Sequence, residues 1–171
     1  MAEIVDVLKR LQNNSQLTAY AHFGASERMS RLHLWLGIPI ALISVGLGSV
    51  FVADLQNVVP NFVKWLSGFL SFVAAMLAAL QTLFNPKEAK SKHRELANDY
   101  LSVSRKSELI LANFNSDVLD IERLSESTKS LNDEYDSINK SAQDYPTNNA
   151  DWRRAKAKIT GFKTGYEKSS Q

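Results

Sequence analysis

Residues 32–53, LHLWLGIPIALISVGLGSVFVA, contain 22 residues with no Asp, Glu, Lys or Arg, and residues 65–84, WLSGFLSFVAAMLAALQTLF, contain 20 more. At a helical rise of about 1.5 Å per residue, each is long enough to cross a hydrocarbon layer of roughly 30 Å. Only eleven residues, 54–64, separate them. The pair therefore reads as a transmembrane hairpin.

A helix that is apolar on every side can also fill a globular core. A chain of this size, however, leaves roughly a third of its unfolded surface exposed, too little burial to hide two such helices. A cleaved signal peptide fits no better. The first stretch starts at residue 32, exceeds a signal core of roughly 7–15 residues, and has Phe51 where a small residue should precede cleavage after Ala53. Arg28 and Arg31 precede the first span and Lys87, Lys90, Lys92, Arg94, Arg105 and Lys106 follow the second, while the connection between them holds only Lys64. This bias predicts that both termini are cytoplasmic. Trp35, Phe62 and Trp65 fall near the expected interfaces. The absence of cysteine excludes disulfides and thiolate chemistry and agrees with a reducing compartment.

Outside the spans the pattern is helical throughout. Ile4, Val7, Leu8 and Leu11 mark a short amphipathic helix that Asn13, Asn14 and Ser15 are expected to interrupt. A second helix then runs from near Ser15 through Tyr20, Phe23 and Arg28 into the first span, where Pro39 removes a backbone donor. Gln56, Asn57 and Pro60 make the outer turn. After Asn85 and Pro86, Leu96, Tyr100, Val103, Ser107, Ile110 and Phe114 recur at steps of three and four, a bundle-facing seam. Asn113, Asn115 and Ser116 suggest a break. Val118, Ile121, Leu124, Thr128, Leu131, Tyr135, Ile138 and Ala142 then restart the stripe, so two antiparallel helices or one bent helix both fit. Pro146 ends the region. Trp152, Ala155, Ile159 and Phe162 line a last short helix, with a frayed tail expected from Gly165.

The expected fold is an all-α membrane protein, a two-helix hairpin with long cytoplasmic helices in a coiled-coil-like, oligomeric bundle. Its segments are residues 1–31, span 32–53, outer turn 54–64, span 65–84, cytoplasmic helices 85–145 and a basic C-terminal region 146–171. Charge is segregated within the net +2: residues 107–145 carry nine acids and three bases, and residues 146–171 carry six bases and two acids. The basic end can fold back on the acidic region, lie near anionic headgroups, or serve only solubility. No nucleic-acid reader motif accompanies Trp152, Arg153, Arg154, Lys156 and Lys158, so nucleic acid is not an expected partner.

At about 100° per residue, Lys64, Ser67, Ser71, Ala74, Ala78 and Gln81 share one face of the second span, and Trp65, Phe69, Phe72, Met76, Leu80 and Leu83 occupy the other. His33, Gly37, Ala41, Ser44 and Gly48 repeat the small, weakly polar stripe on the first span. Small side chains let helix backbones approach, so packing explains the stripes directly. The alternative is a pore wall. Two helices cannot enclose water, so conduction would need several chains in a ring. No catalytic set accompanies these features. His22, His33 and His93 are scattered and read as interface or surface residues, with no zinc cluster and no metal site expected. Gly46 and Gly48 lie inside an apolar span, where a phosphate loop could not work. The chain is read as a non-enzyme without a cofactor.

The run RMSRLHLWLGIP at residues 28–39 and the run KHRELANDYL at residues 92–101 resemble the two membrane-flanking signatures of SLATT domains, two-helix membrane effectors of bacterial conflict systems. The similarity covers most of residues 15–145, and Tyr145-Pro146 with the basic helix after it resembles the end of several members. Arg31, His33, Gly37, Pro39, His93 and Tyr100 match signature positions that have no assigned chemistry. The resemblance implies a pore-forming effector that breaches the bacterial inner membrane on phage infection (abortive infection). In the family such domains accompany nucleotide-generating or nucleotide-sensing enzymes, or reverse transcriptases. With no sensor domain expected in these residues, the trigger would come from such a partner or from a small molecule. The rival from another class is a non-conducting membrane scaffold whose helices recruit a cytoplasmic partner.

Overall fold

The computed structural model describes residues 2–54, 59–116 and 120–169. These form five helices: α1 (Ala2–Asp54), α2 (Asn61–Phe84), α3 (Pro86–Asn115), α4 (Ile121–Ala142) and α5 (Asn149–Ser169). They divide into two compact units, residues 28–89 and residues 1–27 with 90–171.

In the first unit, the second half of α1 and all of α2 make an antiparallel hairpin. α2 has no buried residue. Trp65 is 83% exposed, Leu83 79% and Trp35 77%. In water each such side chain would forgo about 1.5–3 kcal/mol of burial, so these bare apolar faces suit an apolar surrounding such as lipid better than solvent. Both helices are long and apolar enough to cross a membrane. α2 closes on Asn85, which takes the left-handed conformation (φ 36°, ψ 55°) and donates its N–H to the Gln81 carbonyl at 3.1 Å. Asparagine is one of the few side chains tolerant of that geometry. Pro86 then opens α3, where the missing N–H costs nothing. Of the outer turn, Pro60 is the N-cap residue of α2, while Gln56 and Asn57 lie outside the described residues.

The second unit is a helical bundle. Leu8, Leu11, Val103, Leu124 and Leu131 form its core, and Ala19, Leu96 and Tyr100 form a second cluster. α1 and α3 are antiparallel, since the Ser26 hydroxyl donates to the Lys90 carbonyl at 3.0 Å and Leu11 packs in the cluster of Val103. α3 and α4 are antiparallel too, tied by Tyr100 Oη to Asn139 Oδ1 and by Lys106 to Glu134, both at 2.8 Å. Two separate helices, not one bent helix, therefore carry the stripes. Ile121, expected on the stripe, is instead 47% exposed in the first turn of α4, and Val118 lies outside the described residues.

The expected interruption at Asn13, Asn14 and Ser15 does not occur, because α1 is continuous from Ala2 to Asp54. Asparagine costs roughly half a kcal/mol in a helix interior. That is less than the gain from keeping Leu8, Leu11, Ser15 and Ala19 buried on one uninterrupted face. The hydroxyls of Ser15 and Thr18 are absorbed by the carbonyls of Leu11 and Asn14 at 2.7 and 2.8 Å. At the other end, α4 stops at Ala142, four residues before Pro146. A reciprocal cap then starts α5: Asn148 N–H donates to Asp151 Oδ2 at 3.1 Å and Asp151 N–H to Asn148 Oδ1 at 2.8 Å. α5 continues through Gly165 to Ser169, so the frayed tail expected from Gly165 is helical to that point. Its buried Asp151 faces Gly24 of α1, which sets the start of the basic helix against α1.

Candidate functional site

The polar groups of the hairpin gather where α1 and α2 face each other. Near the cytoplasmic end expected from the sequence, Gln81 Nε2 lies 3.1 Å from His33 Nδ1, which makes the amide a donor and the imidazole Nδ1 an acceptor. Gly37 sits opposite the same amide. A Cβ added there would meet Gln81 Nε2 at 3.8 Å, an ordinary contact, so position 37 lies against the glutamine without requiring glycine. His33, Ala78, Gln81 and Thr82 line a cleft of about 440 Å³. At the other end Lys64 pairs with Asp54 at 2.8 Å. Lys64, Ser67, Ser71 and Gly48 line a second cleft of about 500 Å³.

The hydroxyls in this seam are satisfied within their own helix. Ser67 donates to Val63 O and Ser71 to Ser67 O, both at 2.8 Å, and Ser44 donates to Ile40 O at the same distance. A serine bonded this way keeps a free lone pair and can face apolar packing or water without penalty. The structure thus brings Lys64, Ser67, Ser71 and Gly48 to one cleft, and Ala78, Gln81 and His33 to another. Ala74 is half-buried on the same helix. Ala41 and Ser44 are exposed, as is Arg31, and Pro39 is half-buried inside α1.

In the helical bundle the signature residues His93 and Tyr100 belong to a buried polar cluster. His93 Nδ1 lies 3.0 Å from His22 Nδ1. Only 4% of His22 and 2% of His93 are exposed, so of the expected interface or surface placement these two take the interface one, between α1 and α3. Two ring nitrogens at this distance need one N–H and one lone pair, which fixes opposite tautomers on the two rings. Tyr100 stacks on His22 with centroids 5.6 Å apart, and Tyr145 meets His93 edge-on at 5.9 Å. Burial, and next the neighbouring His93, push His22 down from 6.5 to about 4, against an opposing pull from Asp151. Burial, then Tyr135, push the Tyr100 phenol up to about 12, so it remains a donor to Asn139.

His22 was missed as a partner because its mate stands 71 residues away in sequence. A signal did exist. Positions 8, 11, 15, 19, 22 and 26 step by three or four along α1 and are all buried, so extending the first amphipathic stripe past Ser15 places His22 on the seam. Among the described residues no group of three or more His, Asp or Glu side chains is placed to hold a metal.

Two apolar helices joined in a hairpin, followed by a helical region carrying His93, Tyr100 and Tyr145, are also the parts covered by a family match. Residues 18–164 match the SMODS and SLOG-associating 2TM effector domain family 4. The chain belongs to this SLATT family. The resemblance carried by residues 28–39 and 92–101 is thereby confirmed. No curated protein and no solved structure matches the chain. As a SLATT domain the chain is a membrane-associated effector of a conflict system. The match starts at Thr18, inside α1, so it includes His22 and the whole hairpin but not the first sixteen described residues.

Proposed function

We propose that this SLATT domain is a pore-forming effector of an anti-phage system, which assembles as a homo-oligomer in the bacterial inner membrane and permeabilises it on a signal from a partner sensor or small molecule. The observation that carries the reading is the two-sided character of α2. Lys64, Ser67, Ser71 and Gln81 lie along one side of it and line clefts that a single hairpin leaves open, while Trp65, Phe69, Phe72 and Leu83 present a bulky exposed side. One hairpin cannot enclose water, so the polar sides of several copies would have to meet around a cyclic axis. Cations flanking the spans support cytoplasmic termini. The outer connection holds a single lysine, Lys64, which pairs with Asp54 at 2.8 Å. No catalytic step is assigned to the chain.

Gating is then a population shift. Moving the assembly from about 1% to 99% open needs about 5.5 kcal/mol of preference from the trigger, which several protomers acting together can collect. Ala74→Leu with Ala78→Leu fills the seam with bulk while leaving the spans apolar. Dye release from liposomes should fall to background with insertion unchanged. Undiminished release would remove α2 from the pore wall. A non-conducting scaffold is the second reading, favoured by hydroxyls already satisfied within their helices. Loss of membrane potential on overexpression separates the two, since a scaffold leaves ion gradients intact.

A further inference from the structure

The first half of α1 is sealed to α3 by small and apolar side chains, with one exception. Between the Ser26–Lys90 hydrogen bond and the Ala19–Leu96 cluster, the seam is bridged by the buried imidazoles of His22 and His93. Leucine or alanine would fill such a position without the cost of burying polar rings. We propose that the His22–His93 contact is a proton-operated clamp, which holds α1 against α3 while at most one ring is charged and releases it when both are.

The geometry sets the rule. With no proton added, one Nδ1–H donates and the other Nδ1 accepts across 3.0 Å. One added proton leaves that bond in place, because a charged ring still donates to a neutral one. A second proton puts an N–H on both facing nitrogens, removes the acceptor and sets two cations side by side in a buried seam. The titratable groups facing the pair are Tyr100 from α3, Tyr145 from the turn before α5, and Asp151 from α5, with Tyr135 of α4 behind Tyr100. Tyr100 stays protonated far above neutrality and adds nothing in this range. Asp151 favours the first charge and opposes only part of the shift on His22.

The sign of the pH dependence follows. In the closed seam His22 takes its proton at about 4, and in an open seam at its ordinary 6.5. Opening therefore binds a proton. The clamp is complete above about pH 6.5 and weakens as pH falls toward 4. Linkage gives a rise in the opening constant of about tenfold between about pH 7.5 and about pH 5.5. The consequence for the cell rests on the pore-forming reading: protons entering through an open assembly would acidify the bundle and release the clamp.

The test is hydrogen exchange on the full chain in lipid nanodiscs at the two pH values, with protection corrected for intrinsic exchange. Segments 15–26 and 90–100 should lose about tenfold in protection on acidification. His22→Asn keeps a hydrogen-bonding group where Nδ1 stands but does not titrate, and its protection should be flat. A wild-type seam that is insensitive to pH, or a variant as sensitive as wild type, overturns the clamp. Should the variant not fold, imidazole nitrogen NMR on the wild type decides instead. At about pH 5.5 at most one of His22 and His93 is charged wherever the seam is closed, and two charged rings in a protected seam overturn the proposal. Dye release from the same protein in liposomes is scored separately. Its absence at every pH sinks the pore while leaving the clamp result standing.

Discussion

At the residue scale, Gln81 joins the two spans most directly. Its amide reaches His33 at 3.1 Å, and its carbonyl receives the N–H of Asn85, so one residue links the α1–α2 pairing to the end of α2. Gln81→Leu keeps the volume and the helix but leaves His33 half-buried without its partner. Interhelical hydrogen bonds of this kind contribute about 0.6–2 kcal/mol in membranes, so unfolding of the variant in micelles should shift by that amount. An unchanged midpoint would mean that the contact is replaced by lipid or water. Gln81 and Gly37 were legible in the sequence because both break an apolar pattern at helical spacing. His33 stood among the stripe residues, but its bond to Gln81 could not be read, since spacing within one helix says nothing of a neighbour 48 residues away. The same limit hid His22. Its place on the seam depends on α1 running unbroken through Asn13 and Asn14, and local propensity argued the other way.

At the element scale, α5 is held by contact with α1 and by its own cap. Asp151 closes the capping box with Asn148 and sits 3.6 Å from where a Cβ on Gly24 would stand, and the Lys158 ammonium lies over the Tyr20 ring at 5.1 Å from the centroid. Alanine at position 24 would make an ordinary contact, whereas Gly24→Leu must displace Asp151 and lever the helix away. Protease cleavage within residues 146–148 should accelerate several-fold in the leucine variant and stay near the wild-type rate in Gly24→Ala. Equal rates in all three would show that α5 does not depend on this contact. The sequence located α5 from Trp152, Ala155 and Ile159, and misjudged its end because Gly165 was read as a stop. The stripes of α3 and α4 were read at the right residues, except that Ile121 lies in the first turn of α4 and stays exposed. The antiparallel order of the two helices needed the long-range contacts of Tyr100 and Lys106.

At the scale of the molecule, composition alone was enough to find the hairpin. Twenty-odd residues without charge have few destinies, and the exposed Trp65, Phe69 and Leu83 agree with lipid. The assembly could not be read, since it depends on surfaces contributed by other copies. The chain has no cysteine, which makes single introduced thiols clean reporters of topology. In intact cells, an impermeant maleimide should label Asn61→Cys and spare Ser141→Cys, and lysis should expose both. The reverse pattern would place the termini outside.

The most direct test of a water-lined α2 face is current through planar bilayers containing purified single-cysteine variants. With Ser71→Cys, a charged methanethiosulfonate reagent should block the conductance, and with Phe72→Cys on the bulky side it should leave the current unchanged. No conductance under any trigger, or block at Phe72→Cys with none at Ser71→Cys, would contradict a pore lined by the small, polar side of this helix.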